Sequence, residues 1–250
     1  MSQLRIGCSG WVYKDWKGPF YPPGTKDRER LEYYATCFDT AEINASFYRL
    51  PSEAMVKGWR DRAPDGFTYA WKVSRYITHN KKLKDVADSV ALVFGRMAPL
   101  AEHQGPALIQ LPPQLRRNDD RLAGFLKLLP KGVRYTVEFR HDSWYAPQVF
   151  RILADFGAAL CISDHHSAPS PWEVTASWVY VRGHGPGGRY FGRYSNDELA
   201  GWAARIATWR GEGRDVYSYF DNDVKSAAPS DAATLLRLTG QSPYLHADGG

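Results

Sequence analysis

The sequence predicts an α/β fold, a TIM-type (β/α)8 barrel occupying residues 1–250 as one domain. Three observations point there. Strand-like runs alternate with helix-like runs from end to end, the pattern of a parallel sheet with right-handed crossovers. Eight runs read as strands, and 250 residues is an ordinary length for a barrel of eight. The turn after the first strand, GCSGWVYKDW, carries bulky residues where an open doubly wound sheet needs phosphate-binding glycines.

The strands are expected over residues 5–9, 40–46, 68–74, 107–111, 135–140, 158–164, 178–184 and 215–222. Helices fill most of the gaps. Residues 28–38 place Leu31, Tyr34, Ala35 and Phe38 at helical spacing. Ser52 suits the N-cap of a helix over 53–62, and Asn118 that of one over 119–129. Further helices are expected over 86–102, 147–156 and 232–238. Ser195 with Glu198 three residues on forms a capping-box pattern for a helix reaching Trp209. Between the sixth and seventh strands, SAPSPWEVTA is proline-rich and reads as a loop, so one helix there is expected to be missing or reduced.

Period-two alternation then assigns faces. In TAEINASFYRLP the polar residues Glu42, Asn44 and Ser46 alternate with Ala41, Ile43 and Ala45. Ser9, Lys72, Gln110, Glu138, Arg140, Arg182 and His184 fall on similar polar faces of their strands. For the eighth strand Ser218, Phe220 and Asn222 form one plausible inward set. The outer helices need apolar surface, so the polar faces are expected inside the barrel, near the carboxyl ends of the strands where barrel active sites lie. A buried charge without its partner costs about 3–5 kcal/mol. Gathering Glu42, Lys72, Glu138, Arg140 and Arg182 there therefore suggests a site; the bland alternative is a structural ion-pair network.

Composition sets outer limits. The formal net charge is +5, compatible with phosphates or nucleic acid and also with an ordinary enzyme. Cys8, Cys37 and Cys161 have neither zinc-like nor disulfide-framework spacing. No apolar run reaches membrane-spanning length, and the N-terminus has no signal-peptide layout, so a cytoplasmic protein without a membrane partner is expected.

Ordered along the chain stand GCSGWVYKDWKGPFYP, YYATCFDTAEINASFYRLP, WKVSRYITH, LIQLPP, VEFRHDSW, YVRGHG and YFDND. Together they resemble the YecE-like family, domain of unknown function 72, over residues 5–238. The resemblance implies a TIM-type barrel whose activity is not established. It also implies a site drawn from Ser9, Trp11, Tyr13, Trp16, Glu42, Asn44, Phe47, Tyr48, Arg49, Lys72, Arg75 and His79. Gln110, Glu138, Arg140, Trp144, Arg182, His184, Asn222 and Asp223 complete it. One departure is visible: Asp221 stands where the family's last motif usually carries Asn.

Several chemistries fit these residues. Glu42 and Glu138 could divide acid and base roles, as two carboxylates do in glycoside hydrolysis. Lys72, with a lowered pKa, could form a Schiff base or stabilise negative charge. Arg75, Arg140, Arg182 and His184 could grip a phosphate or carboxylate. A metal would draw on Glu42, Glu138, Asp164, His184 and Asp223, but interleaved cations oppose it, so no metal or other cofactor is expected. Rim aromatics and cations, Tyr190 among them, could stack bases or sugars and contact phosphates. The expectation is a hydrolase-like enzyme for a phosphoester or glycosidic bond, acting on an anionic sugar phosphate, nucleotide or nucleic-acid fragment. A non-catalytic binder of nucleic acid or a phosphorylated ligand is the alternative.

Overall fold

The computed structural model describes residues 2–241. Its strands and helices run β1 (Leu4–Ser9), α1 (Arg30–Cys37), β2 (Thr40–Ile43), α2 (Ala45–Tyr48), α3 (Glu53–Arg62), β3 (Thr68–Lys72), α4 (Ala87–Met97), β4 (Gln104–Gln110), α5 (Asp119–Leu126), β5 (Tyr135–Glu138), α6 (Pro147–Asp155), β6 (Ala159–Ser163), β7 (Trp178–Gly183), α7 (Asn196–Gly211), β8 (Asp215–Phe220) and α8 (Ala227–Leu238). Every neighbouring pair of strands is parallel, and β8 pairs back onto β1 to close the barrel.

Local chemistry sets the helix ends. Ser52 Oγ accepts from Met55 N (3.2 Å) at the start of α3, and Asn118 Oδ1 accepts from Arg121 N (2.9 Å) at the start of α5. At α7, Ser195 Oγ accepts from Glu198 N (3.2 Å) while Glu198 Oε2 accepts from Ser195 N (2.8 Å), the full capping box. Two expected helices differ in extent. Pro99 lacks an amide donor, and α4 ends at Met97 in favour of a 3-10 stretch over Ala98–His103. Pro229 lies in the first turn of α8, where that donor is not needed, so α8 begins at Ala227 and not at Ala232. The second strand also stops early. Asn44 is already helical, and α2 carries Ser46 away from the alternation, its hydroxyl donating to Lys72 O (2.7 Å).

The strands' outward faces, with Ile6, Cys8, Ala41, Ile43, Trp71, Ile109, Val137 and Leu160, form the core shared with the helices. The lumen is built in two levels. Its lower level is apolar and aromatic: Ala70, Leu108, Ala159, Cys161, Trp178, Tyr180, Tyr217 and Tyr219 pack on one another. Its upper level holds the ionisable groups. The inward set expected for β8 is corrected by this arrangement. Tyr217 and Tyr219 face the lumen, whereas Phe220 faces outward and stacks on Trp202 of α7 (5.5 Å). Polarity misleads at this strand because tyrosine rings line the lumen while the small Ser218 lies on the outer face.

Among the described residues no helix joins β6 to β7. The intervening loop covers the gap with side chains. Ser170 N donates to Ser163 O (2.7 Å) and Ser170 Oγ accepts from Ser163 N (2.8 Å). Thr175 Oγ1 accepts from Leu160 N (2.8 Å), and Trp172 packs on Trp202 and Trp209. Gly188 seals this loop to the next one. Its φ is +68°, and a Cβ there would fall 2.2 Å from Asp164 O and 2.5 Å from His166 N. Gly188→Ala is expected to lower stability by about 1–3 kcal/mol, from left-handed backbone and collision with main chain. A urea unfolding curve indistinguishable from wild type would show that this seam yields freely.

Candidate functional site

Arg182, near the end of β7, is wholly buried at the centre of the upper level. Its guanidinium grips Glu42 twice, Nε to Oε2 (3.1 Å) and Nη2 to Oε1 (2.7 Å). It also donates to Glu138 Oε2 (3.0 Å), Asp221 Oδ2 (2.9 Å) and Ser9 Oγ (2.9 Å). Four donors surround each glutamate. Glu42 accepts from Ser9 Oγ, from Tyr180 OH (2.6 Å) and from two Arg182 nitrogens. Glu138 accepts from Gln110 Nε2 (3.0 Å), Ser163 Oγ (3.3 Å) and Arg182, and forms an ion pair with Arg140 Nη2 (2.6 Å). A carboxylate offers about four lone-pair sites, so both are saturated.

Electrostatics follow that geometry. Burial alone would raise the Glu138 carboxyl, but Arg140 and Arg182, with Lys72, hold it well below the usual range. Burial opposes Glu42 likewise, and Arg182, Ser9 and Tyr180 bring it below 4.5. The acid/base roles expected of this pair do not fit. Neither carboxyl holds a proton to give near neutrality, neither has a free lone pair, and a guanidinium occupies the space between them. The bridging arrangement, weighed above as an ion-pair network, is what the two glutamates form.

His184 is wedged among the same groups. Its backbone N–H donates to Asp164 Oδ1 (2.7 Å), and Nδ1 lies 3.2 Å from the same oxygen. Nε2 faces Arg182 Nη1 (3.0 Å) and Arg140 Nη2 (3.2 Å), which can only donate. The ring is therefore assigned its proton on Nδ1, directed at Asp164, with Nε2 accepting. Such a ring orients the arginines and has no nitrogen left for substrate.

The cations nearer the mouth are arranged differently. Lys72 is 7% exposed, and its ammonium makes no hydrogen bond or ion pair among the described residues; it lies 4.1 Å from the Phe47 ring centroid. Burial and then Arg182 depress its pKa to about 8, against the pull of Glu138, Asp221 and Glu42. His79 occupies a π-helical turn (Tyr76–Asn80), with Nδ1 2.9 Å from Thr78 Oγ1. Burial and the neighbouring Lys72, Arg75 and Arg140 push its pKa down to about 4. Arg140 donates to Tyr190 OH (2.9 Å) and Glu138, but its buried Nε has no partner. Arg75 and Arg49 are exposed and unpaired among the described residues.

On the β8 side, Asp223 is half-buried beside Tyr13. Burial and then the Asp221 charge raise its carboxyl well above the usual 3.8, while Arg182 pulls the other way. Tyr13 OH donates to Ser9 O.

Several expected contacts fall elsewhere. Trp16 is fully buried among Tyr13, Phe20, Tyr21 and Tyr34, its indole N–H reaching Asp223 O (3.3 Å). Trp144 is also buried, stacked on Phe139 (4.8 Å, 8°) and bonded to Leu115 O (2.7 Å). Both are packing residues. Asn222 turns outward, with Nδ2 donating to Gly192 O (2.7 Å) and Asp231 Oδ2 (2.8 Å). Ser9, Trp11, Tyr13, Asn44, Tyr48, Gln110 and Tyr190 do lie in or beside the mouth. Asp221, Ser163 and His165 were given no place in the expected site. Asp221 enters the charged level, and His165 packs edge-on against His184 (5.2 Å). For Ser163 the signal was present: Ala159, Cys161 and Ser163 alternate with Leu160 and Ile162. Of the residues weighed as metal ligands, Glu42 and Glu138 are held apart by the Arg182 guanidinium, and no group of three or more His, Cys, Asp or Glu that could hold a metal occurs among the described residues.

The family model "Protein of unknown function DUF72" matches residues 5–247. UPF0759 protein YecE of Escherichia coli (strain K12) is 36% identical over 144 residues, 57% of this chain and 50% of that protein, so the match spans half of YecE. UPF0759 protein YunF of Bacillus subtilis (strain 168) is 24% identical over 268 residues, covering 94% of each. Among solved structures, a DUF72 family protein from Thermotoga maritima MSB8 superposes with a TM-score of 0.87 at 24% identity, covering 96% of this chain and 100% of that one. One from Enterococcus faecalis V583 gives 0.83 at 19% identity, covering 96% of each. A D-psicose 3-epimerase gives 0.55 at 12% identity, a likeness of fold alone. With its barrel, its ordered motifs and a family match over nearly its whole length, the chain belongs to the DUF72 family.

Proposed function

We propose that the protein is an enzyme that binds an anionic, phosphate-containing substrate at the carboxyl-end mouth of its barrel. One observation carries this reading: a buried ammonium without an acid partner, beside a buried guanidinium nitrogen without an acceptor. The carboxylates of the lumen are consumed by Arg182 and Arg140, while the Lys72 ammonium and Arg140 Nε meet no acceptor. A buried cation left in that state favours an anion from solution, and phosphate oxygens supply several acceptors at once.

Phosphoester hydrolysis is the reaction these groups suit. The cations would sit on the phosphoryl oxygens, where charge develops. Asp223, whose carboxyl burial and the Asp221 charge raise well above the usual range, is the candidate proton donor to a leaving group. Glycosidic cleavage by Glu42 and Glu138 loses its support, because Arg182 lies between them. A non-catalytic phosphate binder is the second reading, favoured by the saturation of both glutamates.

Titration with inorganic phosphate and assay of a chromogenic phosphodiester separate these. Lys72→Met is expected to weaken phosphate binding at least about tenfold. Asp223→Asn should abolish turnover with phosphate affinity retained. Phosphate binding without turnover in the wild type would leave the binder; no phosphate binding at all would end both readings.

A further inference from the structure

Beside the charged level lies a second, different cavity. It holds about 280 Å³ between the loop after β1 and the start of α2, walled by Trp11, Val12, Tyr48 and Trp59. Tyr48 is 70% exposed and Val12 51% exposed, so two apolar surfaces stand open to whatever enters. Asn44 joins this cavity to the charged level. Its Nδ2 donates to Ser9 Oγ (2.8 Å), and its Oδ1 is buried with no partner.

The orientation of that amide is fixed by its neighbours. Ser9 Oγ donates its only proton to Glu42 and accepts from Arg182. Asn44 must therefore offer its NH2 to Ser9, which leaves Oδ1 as an unpartnered acceptor on a residue that lines the cavity. The slot is thus mostly apolar, aromatic-walled, and supplied with one acceptor next to a phosphate-seeking mouth. A sugar ring would bring several hydroxyls into it and leave most without partners. A heteroaromatic ring presents two flat faces and a few edge groups, which is what the walls and the single acceptor match.

We infer that this cavity is a nucleobase subsite, so that the substrate is a nucleotide. The base would stack on Tyr48 and donate an amino or ring N–H to Asn44 Oδ1, while its phosphate meets Lys72 and Arg140. This rests on the anion-binding reading above and names the substrate class for the same mouth.

The test compares AMP, GMP, CMP and UMP with ribose 5-phosphate and inorganic phosphate by calorimetry. The best nucleotide is expected to bind at least about tenfold tighter than ribose 5-phosphate. Tyr48→Ala should erase that advantage and leave ribose 5-phosphate affinity unchanged, and Tyr48→Phe should restore it. Tyr48 is largely exposed, so its loss does not threaten folding. Ribose 5-phosphate matching the best nucleotide in wild type, or an advantage that survives Tyr48→Ala, overturns the subsite alone. Failure of every phosphate compound to bind instead removes the anion-binding reading and the subsite with it.

Discussion

Arg182→Met is expected to cost about 3–5 kcal/mol of folding stability at pH 7, because it strips the shared cation from Glu42, Glu138 and Asp221 in a fully buried layer. Its more telling signature is in the pH profile. In the wild type the two glutamates have folded pKa values below 4.5, so their contribution is present above 4.5 and lost as pH falls through the folded values. Without Arg182, burial dominates at Glu42, whose other partners are the neutral Ser9 and Tyr180. Its folded pKa then moves above 4.5, and protonation becomes favourable to the native state. Relative to the wild type at the same two pH values, the variant should therefore gain stability on going from pH 7 to pH 5, a window in which the wild-type glutamates themselves contribute no change. Urea denaturation at both pH values decides the matter. A loss below about 1 kcal/mol with an unchanged pH profile would show that the carboxylates find other partners.

Lys72→Met is expected to act in the opposite sense on stability. A lysine whose pKa falls from 10.5 to about 8 carries a burial penalty on the order of 3 kcal/mol at neutral pH. Methionine keeps the contact with Phe47 and removes that penalty, so a gain of about 1–3 kcal/mol is anticipated. The sign is set by proton binding. Between pH 8 and 10.5 the unfolded chain holds the proton and the folded one does not, so wild-type stability rises across that window. The gain from Lys72→Met should shrink over the same range and vanish above it. A variant less stable than wild type at pH 7 would mean that the ammonium has a partner worth more than its desolvation.

The parts of this structure legible in the sequence are those that depend on near neighbours. Ser52, Asn118 and the Ser195–Glu198 pair announce helix starts because a cap involves only a few consecutive residues. The missing helix before β7 was legible in its prolines. Alternation also placed Glu42, Lys72, Glu138 and Arg182 on the lumen correctly, since period two follows from the strand itself. Which acid meets which base was not legible, because contacts across the lumen depend on how far each strand is shifted along the barrel. Arg182 reaches Glu42 across 140 residues of sequence. Aromatic motifs blurred two roles: Trp16 and Trp144 fill the core, while Tyr48 stands in the open, and nothing in their immediate neighbours separates them.

The aromatic plug of Trp178, Tyr180, Tyr217 and Tyr219 gives the charged chamber a floor. A chamber with a floor is closed toward the amino ends of the strands, so nothing passes through it from end to end. No strand of polymer can thread it. A long molecule could reach the chamber only with a group offered from the mouth, a chain end or a unit turned inward from a strand lying across it.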